Sequence, residues 1–259
     1  MSKQNKSKKV ESEKFRNKCE KKLKYLTKKR YNKNDFDTLY KVFNEVVDTM
    51  KSKDIDTETY NRIVSHPNRL RYHANRILSL SDREIKGNKQ MLNELKVSIM
   101  YHDISKVINF DKYNADRKKD HGLFSAIMIE VMMNYLEFDK DVIERIYANI
   151  LYHTEKNKDI YGPELDIVGL LLMDVDIIDE QDVYGLLLNM QLIGNKANID
   201  SANKMNQRDM YEHICEFISN RRSIEKLNLE ESKDYYNMIL KELEVIKNII
   251  RFEEEEVFI

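Results

Sequence analysis

From Asp35 onward, apolar positions recur every three to four residues, the period of helices that bury one face. Leu39, Phe43, Val46, Val47 and Met50 share such a face, and Asp35 stands where a helix cap belongs. Lys51 to Asp54 breaks the pattern. Pro67, favoured in a first helical turn, opens the next predicted helix, which aligns Leu70, His73, Ile77 and Leu80. Another is predicted from Met91 to Asp103, with Leu92, Leu95, Ile99 and His102 on one side. Lys106 to Asp120 reads as a charged loop, Gly122 to Tyr135 as a helix, and Asp139 as the cap of a helix aligning Val142, Ile146, Ile150 and His153. Glu155 to Tyr161 reads as a polar loop. Gly162-Pro163 then opens a buried helix over Leu165 to Met173, and residues 195–258 read as two trailing amphipathic helices with a seam from Met210 to Ile250. The predicted class is all-α, with one domain over residues 35–259.

Composition agrees. Two prolines and six glycines in 259 residues leave few helix breakers. A net charge of −1 supplies no global field to attract nucleic acid. Residues 1–34 stand apart: residues 1–33 carry fourteen lysines and arginines against three glutamates. This segment is expected to be a solvated basic arm or an amphipathic helix on Phe15, Cys19, Leu23 and Leu26, and it is the one place suited to nucleic-acid contact. All the proposed site residues lie beyond residue 70, so the segment is expected to be dispensable for folding and activity. Cys19 and Cys215 have neither metal spacing nor a disulfide framework, which fits a reducing cytoplasm. No apolar run is long enough to span a bilayer, so no membrane partner is expected.

Candidate chemistry centres on His102-Asp103, adjacent donors at the end of an apolar helical run. Adjacency lets one cation take both. Of six histidines, His73, His102, His121 and His153 lie in apolar helical runs or beside the charged loop. His66 precedes a proline and is assigned no role. Asp174, Asp176 and Asp179 interrupt another apolar run. Burying carboxylates is costly unless they are paired or bind a cation. Mixed imidazole and carboxylate donors suit a catalytic transition ion better than structural zinc. Periodicity does not choose between Asp174 and Asp176.

Three segments in order, His73-Ala-Asn-Arg76, Tyr101-His-Asp-Ile-Ser-Lys106 and Met173-Asp-Val-Asp-Ile-Ile-Asp179, resemble the HD-domain superfamily of metal-dependent phosphohydrolases. The resemblance covers roughly residues 60–190. It implies an HD-type helical bundle and metal ligands at His73, His102, Asp103 and Asp176. The implied cofactor is a divalent ion: manganese, iron, nickel, cobalt or magnesium. Asp120-His121-Gly122 with Ser125-Ala126, and Ile150-Leu-Tyr-His153-Thr, resemble a smaller branch of the family. That likeness implies that His121 and His153 hold a second ion or act on the substrate phosphate. Lys106 and Arg117 are expected to contact phosphate, Lys118 and Lys119 to extend a basic rim, and Arg76 to support a site carboxylate. The chain departs from the pattern at Ser105, where the family has glycine, and at Thr154, where cyclic-dinucleotide phosphodiesterases pair a second histidine. The glutamate-aspartate pair of guanosine-tetraphosphate hydrolases is not evident. The expected activity is hydrolysis of a phosphate ester, of a nucleotide, by metal-activated water. The alternatives are a two-metal phosphodiesterase of a cyclic or short oligonucleotide, and a non-catalytic protein that senses a nucleotide through the same fold.

Overall fold

A computed structural model describes residues 3–24, 31–81, 84–154, 165–187, 207–219 and 224–256. The described residues are all-α, with no strand. The helices are α1 (Lys3–Leu23), α2 (Phe36–Met50), α3 (Thr57–Leu80), α4 (Lys89–Tyr101), α5 (Arg117–Tyr135), α6 (Lys140–Tyr152), α7 (Ile167–Asp179), α8 (Gln207–Ser219) and α9 (Glu230–Glu256). No described helix is long and apolar enough to cross a membrane. The chain divides into two compact units, one of residues 1–72 and 82–172, the other of residues 73–81 and 173–259.

In the first unit α2 forms where the pattern places it. The Asp35 carboxylate accepts a hydrogen bond from the Asp37 N–H at 3.1 Å, and Leu39, Phe43, Val46, Val47 and Met50 are buried. Phe43 meets the Tyr101 ring edge-on at 5.3 Å, and the Tyr101 hydroxyl donates to the Leu39 carbonyl at 2.8 Å. This contact fixes the end of α4 against α2, just before His102.

Two helix starts differ from expectation. α3 begins at Thr57, helped by Asp56, whose carboxylate accepts from the Thr59 N–H at 2.7 Å. Pro67 therefore lies inside the helix, where it denies the Ile63 carbonyl its usual N–H partner. The helix tolerates this loss, and His66 becomes a helical residue. α5 begins at Arg117, before Gly122, because Asp116 caps it by accepting from the Lys118 and Lys119 N–H groups at 2.8 and 3.3 Å. The predicted loop before it contains two short 3₁₀ turns, Ile104–Val107 and Phe110–Tyr113.

Within the amino-terminal segment, α1 packs into the first unit through one buried stripe. Phe15, Cys19 and Leu23 on α1 are fully buried. The Phe15 ring lies 4.6 Å from Phe124 and 5.2 Å from Tyr113. On the flank, Arg16 pairs with Glu130 at 2.7 Å and the Lys18 ammonium donates to the Tyr113 hydroxyl at 2.7 Å. Burial pushes the Cys19 thiol up to about 12, so it serves packing and not redox chemistry. Leu26, the fourth residue of the predicted stripe, lies outside the described residues, as do Glu155–Tyr161, Gly162-Pro163 and residues 195–206.

Gly169, in α7, is needed for close approach to α6. A Cβ there would sit 2.5 Å from the Oδ1 of Asn149, itself 1 % exposed and without room to retreat. Gly169→Ala is expected to destabilise the first unit by about 1–3 kcal/mol through overpacking, against the gain alanine normally gives inside a helix. A chemical melt checks the sign.

In the second unit the trailing helices bury Ile214, Ile218, Tyr236, Ile239 and Leu243. The side chains of Met210 and Ile250, at the ends of the predicted seam, lie outside the described residues. The Asp174 carboxylate accepts from the Asn228 N–H and side-chain amide, both at 2.8 Å, and from the Leu229 N–H at 3.0 Å. It thereby ties α7 to the start of α9.

Candidate metal centre

α4 ends at Tyr101, and the His102 N–H still bonds the Ser98 carbonyl at 2.9 Å. The chain then tightens into the Ile104–Val107 3₁₀ turn, closed by the Lys106 N–H on the Asp103 carbonyl at 2.9 Å. In such a turn residues three apart eclipse each other. Lys106 is thereby brought over Asp103, and its ammonium pairs with the Asp103 carboxylate. Ser105 fastens the turn to α5. Its N–H donates to Ser125 Oγ at 3.1 Å, and its hydroxyl donates to the His121 carbonyl at 2.8 Å. Ser105 thus has a structural task.

Three buried imidazoles are held in one manner. The Nδ1 of His102 lies 2.9 Å from the Ile99 carbonyl, that of His121 lies 3.0 Å from the Arg117 carbonyl, and that of His153 lies 2.6 Å from the Ile150 carbonyl. A carbonyl only accepts, so each Nδ1 donates, which leaves the Nε2 of each ring to face the interior of the cluster. Those Nε2 atoms gather round Asp103: His102 at 3.7 Å from Oδ2, His121 and His153 at 3.4 and 3.8 Å from Oδ1. The Nε2 atoms of His121 and His153 are 3.1 Å apart. Two lone pairs at that distance repel unless a proton or a cation lies between them. His121 and His153 could together hold a divalent ion through these two nitrogens. The donor set therefore fits a divalent transition ion, with His102, Asp103 and His153 as one three-ligand group.

His66 adds a fourth imidazole. Its Nε2 is 3.8 Å from Asp103 Oδ2, its ring centroid is 5.1 Å from that of His102, and Arg69 Nη2 lies 3.2 Å from its Nδ1. Comparison with models of protein families, with curated proteins and with solved structures finds no match to this chain.

Of the residues singled out from sequence, His102, Asp103, Lys106, His121 and His153 come together in the first unit. Arg117, Lys118 and Lys119 are exposed on the first turn of α5, and the contribution of Arg117 to the cluster is its carbonyl on His121. Arg76 is exposed. His73 and Asp176 belong to the second unit, so the four expected ligands are divided between the units. Asp176 is half-buried on α7, and Asp174 is committed to capping α9. The carboxylates facing His73 are Asp179 and Asp182. His66 was missed although His66-Pro-Asn-Arg69 repeats the His-x-x-Arg spacing of His73 to Arg76. Reading Pro67 as a helix start removed it from consideration.

Burial pulls the His73 imidazole toward the neutral form, but hydrogen bonding and charge from Asp179 and Asp182 outweigh burial and raise its pKa above the ordinary 6.5. A raised basic group stabilises the fold fully below its unfolded pKa and loses that contribution as pH rises through the folded value. In metal-free buffer, the stability gap between the parent and His73→Gln is expected to be largest below pH 6.5 and to shrink above it. Urea melts on either side of that pH check this.

Proposed function

We propose that the chain is a metal-dependent hydrolase of phosphate esters, acting on a nucleotide, with its metal in the His/Asp cluster of the first unit. One observation carries the reading: three imidazoles, each oriented by a backbone carbonyl, turn Nε2 toward a single buried carboxylate. Orienting donors in advance in this way is what a metal site requires and a mere core histidine does not. The order of motifs that resembles the HD-domain superfamily supports the same reading. A bound divalent ion would supply Lewis acidity toward a phosphoryl oxygen and lower the pKa of water. His102, Asp103, His121 and His153 would hold the ion, in one or two positions. The Lys106 side chain is one-third exposed, so its ammonium can meet a non-bridging phosphate oxygen and offset charge there as the ester P–O bond breaks. His66, 13 % exposed at the side chain, stands at the rim of the set.

Hydrolysis of an aryl phosphate monoester and of the matching diester, with manganese, magnesium, cobalt or nickel added in turn, tests the proposal. Monoester turnover supports it, turnover of the diester alone points to the phosphodiesterase, and metal binding without turnover points to a sensor. His121→Ala and His153→Ala are each expected to lower turnover about 100-fold or more. Each also removes one of the two facing lone pairs, so the metal-induced rise in Tm should shrink in both. Full activity in either variant removes that histidine from the mechanism.

A further inference from the structure

The second unit carries a donor cluster of its own. We propose that His73, Asp179 and Asp182 form a separate divalent-cation site there, of the class that takes manganese(II) through one nitrogen and two carboxylates. His73 Nε2 lies 3.2 Å from Asp182 Oδ2 and 3.7 Å from Asp179 Oδ1, and the three donor atoms all lie within 4.8 Å of one another.

The donors are braced from behind. His73 Nδ1 is 3.1 Å from the Tyr235 hydroxyl on α9, which sets the ring plane and leaves Nε2 toward the carboxylates. Asp182 Oδ1 accepts from the Gly185 N–H at 2.8 Å, which leaves Oδ2 to face His73. This is the support that metal-binding histidines and carboxylates receive from their neighbours. The turn carrying Asp182 depends on Gly185. A Cβ there would sit 2.5 Å from the Glu180 carbonyl oxygen and 3.1 Å from that of Asp179, so a side chain would force the turn away from the end of α7.

The side chains of Asp179 and His73 are 4 and 3 % exposed. Two carboxylates and one imidazole converge there, a mixed oxygen and nitrogen donor set of the kind a divalent ion takes. Asp182, at 16 % exposure, provides the access path, and water would fill the remaining positions. The proposal uses none of the residues of the first cluster and does not depend on the hydrolase reading.

Equilibrium dialysis of the full chain against manganese(II) tests it. Asp103→Ala, which removes the centre of the first cluster, is expected to keep one equivalent of manganese. Adding Asp182→Asn should weaken that equivalent about tenfold or more, and Tyr235→Phe should weaken it less. In the parent background, Asp182→Asn alone should weaken one equivalent to the same extent, which preserves the test should Asp103→Ala not fold. In histidine-labelled protein, bound manganese should broaden the His73 ring signals beyond detection. A folded Asp103→Ala chain that takes up no manganese overturns the site. So does Asp182→Asn uptake equal to the parent's, or a His73 signal that stays sharp at saturation.

Discussion

Asp103→Ala is expected to empty the first cluster of metal and reduce turnover to background. Four imidazoles and the Lys106 ammonium face this one carboxylate, and among the described residues it is the carboxylate that forms a three-ligand group with His102 and His153. Alanine removes the oxygen ligands and the negative charge that opposes Lys106. Breaking a buried charge pair by deleting one partner costs about 3–5 kcal/mol, or about two to four powers of ten in metal affinity if that loss falls on binding. Asp103→Asn separates charge from shape, since it keeps the volume and loses the charge. If charge is what matters, the asparagine variant should fold like the parent and still fail to retain metal. Metal content and kcat measured on the same preparations decide it. Unchanged metal stoichiometry in both variants, beyond the equivalent assigned to the second unit, would remove Asp103 from the ligand set.

The parts of this molecule legible in its sequence are those where one local rule acts alone. α2 could be read because Asp35 caps it and its apolar face is uninterrupted, and α6 because Val142, Ile146 and Ile150 repeat at helical spacing. His102-Asp103 could be read because adjacency is itself a chemical statement. Errors arose where two rules competed. Pro67 is as good a first-turn residue as it is a poor interior one, and only packing along the whole of α3 decides for the interior. That decision moved His66 into the cluster. The basic run Arg117-Lys118-Lys119 looked like a loop because charge conceals a helix start, although Asp116 was the cap to notice. Asp182 lies just beyond an apolar run and carries no periodic signal, so its approach to His73 follows from a turn that composition does not reveal. Asp174 and Asp176 share a helix and differ in partners, which pattern cannot supply. Asn228 and Leu229, far along the chain, commit Asp174 to the fold.

Deleting residues 1–24 is expected to abolish cooperative folding of the first unit, although no residue of the cluster lies within them. Lysine content suggested a detachable arm, but of the lysines of α1 with described side chains only Lys14 and Lys21 are exposed, and Lys18 and Lys22 are half-buried. The inner face buries Phe15, Cys19 and Leu23 completely. Phe15 sits in an aromatic group with Tyr113 and Phe124, and Phe110 meets the same Phe124 ring at a tilt, centroids 5.3 Å apart. Truncating a buried phenylalanine alone costs about 3–5 kcal/mol, and a buried leucine about 2–5 kcal/mol. Together they are comparable to the whole stability of a typical domain, about 5–15 kcal/mol. The damage would also reach the candidate centre. Phe124 lies on α5 beside Ser125, whose hydroxyl accepts from the Ser105 N–H, and Ser105 in turn holds the His121 carbonyl. Phe15→Ala is the graded form of the same experiment. It should lower the denaturation midpoint strongly yet leave a folded fraction that binds metal, whereas the deletion should give insoluble protein or a non-cooperative melt. A soluble deletion variant with a parent-like melt would mean that α1 covers a core already complete without it.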